Sequence, residues 1–222
     1  MKRIIFLLFA ALPLQFYSLH AQDPPRLLLD VGILAARNAT LGLTYDQIKG
    51  SPHYSDAFLN SRVYLKDSNS ASLPLRYDLY QDQIEFKKYE QTLWLTKSFI
   101  AYIQYGDEFI VPEPDSEQEG KLTFFFVKGK GKYSLYIRRK VSFHPEEPPK
   151  AYADPIPNRF ERDNDEYYLK MEGELPVRIG NKKALLTLLS ENEPALDFIK
   201  KSKIKAGKED DLVLLVKFLN DQ

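Results

Sequence analysis

Leu73-Pro74-Leu75-Arg76-Tyr77-Asp78-Leu79-Tyr80 reads as a β-strand with one dry side and one wet side. Its odd positions are Leu, Leu, Tyr and Leu, and its even positions are Pro, Arg, Asp and Tyr. Strand side chains alternate between faces, so this pattern buries one face and wets the other, as antiparallel sheets do. Pro74 has no N–H to give to a ladder and predicts an edge or the start of a strand. The alternation returns in Gln83 to Lys88, with Ile84 and Phe86 inward against Glu85 and Lys87. It returns again in Tyr133 to Phe143, where Tyr133, Leu135, Ile137, Val141 and Phe143 share a face. Leu122 to Val127 is apolar on both faces, which predicts a central or covered strand. Lys128-Gly129-Lys130-Gly131-Lys132 then reads as a hairpin turn with solvated lysines, since glycine takes positive φ at little cost.

Toward the C-terminus the period changes. Asn181 is a helix cap before Lys182 to Leu189, with Leu185, Leu186 and Leu189 on one side. A second helix is predicted from near Pro194, carrying Leu196, Phe198 and Ile199. A third follows Gly207: Glu209, Asp210 and Asp211 suit the positive end of a helix dipole, and Leu212, Leu215, Val216 and Leu219 recur at helical spacing. The chain therefore divides into a signal peptide at 1–21, an N-terminal lead at 22–50 and an antiparallel β domain at 51–143. A Pro-rich charged bridge at 144–165 and a region of short β sequence and helices at 166–222 complete it. The expected class is α+β, a β-rich antiparallel meander sheet followed by a small C-terminal helical region.

The first 21 residues have the three-part layout of a secretory signal: Lys2 and Arg3, an apolar run from Ile4 to Leu14, and Leu19-His20-Ala21 before Gln22. Cleavage after Ala21 is expected, and the apolar run is short for a membrane span. The signal holds two of the 31 basic residues and no acidic ones, leaving 29 against 31 and a mature net charge of minus two. That balance argues against strong attraction to nucleic acid or anionic lipid. The chain has no cysteine, which excludes disulfides and the lipid attachment of bacterial lipoproteins. No later apolar stretch approaches 18 residues, so no transmembrane helix is expected, and the protein is expected in the periplasm or outside the cell. Aromatic residues reach 13 %, which favours pleated, half-buried strands.

Groups able to carry chemistry are sparse. The mature chain has two histidines, His53 and His144, each beside a proline and each read as a solvated loop residue. There is no Gly-x-Ser-x-Gly, and Gly129-Lys130-Gly131 lacks the strand-to-helix context of a phosphate loop. Glu113, Asp115, Glu117 and Glu119 cluster beside Pro112 and Pro114, and Asp163-Asn164-Asp165-Glu166 forms a second acidic run. A calcium loop would want alternating oxygen ligands with a glycine at the bend, and the spacing favours solvated acidic loops instead. Trp94, Tyr102 and Tyr136 fall opposite the main apolar sets and, with Arg138, form a candidate sugar-stacking or peptide-binding surface. The competing reading is that the C-terminal helices cover this face. No catalytic residue, metal ligand or cofactor is assigned.

Several segments resemble an uncharacterised family of exported proteins of Gram-negative bacteria. They are Ile48-Lys49-Gly50-Ser51-Pro52-His53-Tyr54, the run Leu73 to Phe86, Asp165 to Leu169, Gly180-Asn181-Lys182-Lys183 and Lys208 to Asn220. His53 departs from the aromatic expected after Ser-Pro. The resemblance implies export and a β-then-α order, and supplies no reaction, cofactor or binding residue. The function expected is that of an exported non-enzymatic envelope protein working through contacts with an envelope protein partner. A ligand-binding module for a glycan or lipid is the alternative, and a carboxylate-dependent hydrolase comes third.

Overall fold

The computed structural model of the chain describes residues 43–89, 91–118, 120–149 and 154–222. The signal peptide, residues 22–42 of the N-terminal lead, and Glu119 of the first acidic cluster lie outside the described residues. The strands are β1 (Leu59–Leu65), β2 (Ser70–Asp78), β3 (Gln83–Lys88), β4 (Gln91–Trp94), β5 (Ile100–Tyr105) and β6 (Glu108–Pro114). They continue as β7 (Leu122–Lys128), β8 (Tyr133–Arg138), β9 (Val141–His144), β10 (Arg159–Arg162), β11 (Glu166–Met171) and β12 (Val177–Arg178). Three helices close the chain: α1 (Lys182–Leu188), α2 (Glu193–Lys201) and α3 (Glu209–Asn220). The fold is α+β.

Ten strands form one antiparallel sheet in the order β12-β11-β8-β7-β6-β5-β1-β2-β3-β4. It is two meanders side by side, β1 to β4 and β5 to β8, joined where the chain returns from edge strand β4 to pair β5 with β1. The alternation in β2 is realised: Leu75 and Tyr77 are buried on the inner face, and Arg76 lies on the other. Pro74 falls inside β2 rather than at its start, opposite Asn60 of β1. The ladder to β3 begins only at Leu75, so the proline sits where β2 is flanked on one side.

The predicted long strand from Tyr133 to Phe143 breaks after Arg138. β8 stays in the sheet, while β9 leaves it and pairs with β10, which lies within the stretch read as a Pro-rich bridge. The chain rejoins the sheet as β11 beside β8.

The sheet rolls up on itself. Tyr77 of β2 packs its ring 5.7 Å from Phe124 and 5.8 Å from Phe126 of β7, although β1, β5 and β6 lie between in the sheet order. Sheet twist supplies the curvature, and aromatic packing on the concave side holds it. Val63, Leu75, Ile84, Phe86, Ile103, Ile110, Phe124, Phe126, Leu135 and Ile137 are all 0 % exposed there. The helices plug this inner face. Leu185, Ala195, Ile199, Leu212, Leu215 and Val216 belong to the same apolar cluster as those strand residues.

Local signals place the helices as expected. The Asn181 side chain accepts from the Ala184 N–H at 2.9 Å, and Asn192 does the same for Ala195 at 3.0 Å. Helix α3 runs under the β7–β8 turn. At Gly129 (φ +72) a Cβ would lie 2.9 Å from Val216 Cγ1, and at Gly131 one would lie 2.6 Å from the Asn220 side chain. Glycine is required in this turn by the close approach of the helix as well as by positive φ.

Candidate functional site

The outer, convex face carries the four residues singled out from sequence. Register links make the surface continuous: Trp94 lies opposite Glu85, Tyr102 opposite Tyr64, and Tyr136 opposite both Val127 and Tyr168. The helices lie on the inner face, so the expectation that they cover these aromatics does not hold. Tyr102 is half-buried and stacks on Tyr64, with ring centroids 4.3 Å apart and planes 16° apart. Trp94 is half-buried. Tyr136 and Arg138 are buried, Tyr136 beside Phe125 and Tyr168 in a small second core. The four candidates share a face but lie on β4, β5 and β8, which are not neighbours in the sheet.

Charged side chains, not helices, roof the Tyr136 end. Arg138 Nη1 donates to Asp115 at 3.1 Å and lies 3.9 Å from Glu166. Glu117 accepts from Arg178 at 2.9 Å, and Glu113 accepts from the Tyr136 hydroxyl at 3.5 Å. Asp115 of the first acidic loop is therefore fully buried against a cation rather than solvated, whereas Glu117 is exposed and paired with Arg178. Burial and the Glu113 carboxylate push the Tyr136 hydroxyl well up from its ordinary value. Burial works against the Arg138 charge, but hydrogen bonding to Tyr168 and the charges of Asp115 and Glu166 outweigh it, so its pKa is raised. The second acidic run is also engaged, Asp163 by Ser142, Asp165 by Arg139 and Glu166 by Lys140.

His53 is not a solvated loop residue. Its side chain is 8 % exposed and stands against two fully buried carboxylates, Asp78 and Glu85, with Nε2 3.7 Å from Glu85. One ligand atom from each of the three lies within 4.8 Å of the others, a spacing that a divalent cation can bridge. The protein already supplies counter-groups there: Arg76 donates to Glu85 at 2.7 Å, and the Tyr45 hydroxyl donates to Asp78 at 3.0 Å. The arrangement fits an internal ion network. Sequence reasoning missed it because Asp78 and Glu85 reach His53 from two strands, and no local motif joins them.

Two concave features stand out. Where the roll brings the β2–β3 turn against the end of β8, a polar cavity of about 210 Å³ opens. Asp82, Lys121, Arg138, Arg139, Lys140 and Asp163 supply its charged lining. Asp82 is fixed by the Tyr77 hydroxyl at 2.6 Å, by Lys97, and by the Phe124 N–H at 3.3 Å. Burial, and then the neighbouring charges of Lys121 and Arg138, draw the Lys97 pKa down, although Asp82 opposes them. On the opposite side of Arg139, Glu209 of α3 accepts at 3.2 Å, tying this end of the sheet to the helices.

The second feature is a groove of about 530 Å³ on the helical layer between α2 and α3. Phe198 and Phe218 stack within it, centroids 4.1 Å apart and planes 7° apart, beside Pro194. Leu214, one helical turn before Phe218, is 48 % exposed. Among the described residues no helix is long and apolar enough to cross a membrane. No protein-family model, curated protein or solved structure matches the chain.

Proposed function

We propose that the chain is an exported, non-enzymatic protein of the bacterial envelope that acts through protein contacts, and that the α2–α3 face is its contact surface. The stacked Phe198–Phe218 pair in the helical groove carries this reading. Aromatic side chains left half-exposed in an apolar depression, with polar neighbours such as Asp197 and Lys201 at its rim, have the anatomy of an interface anchor. The signal-like layout of residues 1–21 motivates the envelope assignment.

The test is crosslinking of the tagged chain in intact cells, followed by mass spectrometry of what it captures. Phe198→Ser with Phe218→Ser should lose a reproducible envelope partner while circular dichroism and Tm show a folded chain. A folded, exported protein that captures nothing would sink the proposal. A second reading, glycan or lipid binding, is favoured by the Tyr64–Tyr102 stack, which Arg62 and Lys130 approach at 5.6 Å and 5.5 Å. Loss of glycan or lipid retention in Tyr102→Ala, with partner capture intact, would favour it instead.

A further inference from the structure

The polar cavity at the mouth of the rolled sheet is not used by the contact reading. Its volume of about 210 Å³ falls below the ~300–1,000 Å³ of clefts that hold drug-sized ligands. It is still several times the ~30 Å³ that one water occupies. The lining is charged, and its charges are unequal: Lys121, Arg138, Arg139 and Lys140 against Asp82 and Asp163.

Both acids have hydrogen-bond donors already. Asp82 is held by Tyr77, Lys97 and the Phe124 N–H, and Asp163 accepts from the Ser142 hydroxyl at 2.7 Å. Arg139 is matched by Asp165 and Glu209, but the other three cations are less completely matched. Asp115 engages one nitrogen of the Arg138 fork. Lys140 shares Glu166 with Arg178, each at 2.9 Å or less. Lys121 donates to the neutral amide oxygen of Gln118 at 3.0 Å and, among the described residues, pairs with no carboxylate. Lys97 stands just behind as a fifth cation and offsets the charge of Asp82. A small polar cavity with an excess of guanidinium and ammonium groups in a partly dry setting attracts a compact negative ligand, and the Arg fork suits the paired oxygens of such a group.

We infer that this cavity is a binding site for a small oxyanion of the phosphate, sulfate or carboxylate type, with Lys121 and Lys140 at its rim and Arg138 on its floor. The site is independent of the α2–α3 face, so either assignment stands without the other.

Inorganic phosphate, sulfate and acetate, titrated separately into the purified exported chain at low ionic strength, test it by calorimetry and by amide shifts of Gln81 and Ser142. Saturable one-site binding of at least one anion is expected, with those two amides moving, and the anion preferred tells tetrahedral from carboxylate recognition. Lys121→Met and Lys140→Met should each weaken it by about tenfold, the loss of one charge-assisted contact. Lys121 is exposed and Lys140 is half-exposed, so both variants should fold, and an unchanged Tm checks this. No saturable binding of any of the three anions would overturn the assignment. So would binding that neither lysine variant weakens while both remain folded.

Discussion

Glu166 shows how one residue sets a pH response. Burial alone would raise its carboxyl, but the Lys140 hydrogen bond and the charges of Lys140, Arg178 and Arg138 outweigh that and hold it below the usual carboxylate range. A carboxyl with a folded pKa below its unfolded value of about 4.3 gives up its proton more readily when folded. Its contribution to stability is whole above the unfolded value and is lost as the pH falls through the folded pKa. Urea denaturation from pH 7 to pH 3 should therefore show a constant gap between the wild type and Glu166→Gln down to about pH 4.5, and a narrowing gap below it. A gap that stays constant to pH 3 would mean that the cations do not stabilise the ionised form. Neighbouring residues in this strand end also explain a limit of sequence reading. Arg138 points to the outer face and meets Asp115, whereas Arg139 points inward and meets Glu209 and Tyr54. Alternation predicts opposite faces for adjacent arginines, but it does not reveal that both faces are closed.

Among the elements, the β7–β8 hairpin and α3 act as a unit. The Asn220 side chain accepts from the Tyr133 N–H and donates to the Tyr133 carbonyl, both at 2.8 Å, pinning the end of the helix to the start of β8. Asn220→Ala should cost about 2 kcal/mol, since it removes two bonds and strands backbone groups that are partly shielded from water. Gly131→Ala pushes a methyl group against that same side chain, so it should cost a similar amount by breaking the same pair. The double variant should fall short of the additive sum by about 1 kcal/mol, because the methyl has nothing left to displace. Strict additivity in chemical denaturation would show that the turn and the helix end are uncoupled. The strands and the capped helices were legible because their signals are local: the alternation in Leu73 to Tyr80, the Asn181 cap, the acids at Glu209 to Asp211. The break after Arg138 was not, because β9 changes partner to β10, and nothing in Val141 to His144 names that partner.

For the whole molecule, the roll of the sheet and the plug of helices are the features that no local pattern contains. The roll depends on contacts such as Tyr77 to Phe124, 47 residues apart, and the plug on contacts such as Asn220 to Tyr133, 87 residues apart. The polar cavity exists only because the roll closes, which is why Arg138 was legible as a candidate for its exposed-face position but not for the cavity it lines. The helical tail reads from sequence as separable, and deletion of residues 181–222 then looks like a clean test of partner capture. The packing argues otherwise. Leu185, Leu212 and Leu215 are at most 1 % exposed and share one cluster with Leu135 and Ile137. Each buried aliphatic contributes about 1.5–3 kcal/mol, so losing even four approaches or exceeds the roughly 5–15 kcal/mol that holds a domain together. A chain ending at Gly180 should therefore lose cooperative unfolding and near-ultraviolet circular dichroism and bind a hydrophobic dye. A dispersed, native-like amide spectrum from that truncation would show instead that the sheet is self-sufficient. If the truncation unfolds, loss of a partner on deletion carries no information about the contact surface. The exchange of Phe198 and Phe218 does, because their rings lie at the rim of the plug and not within it.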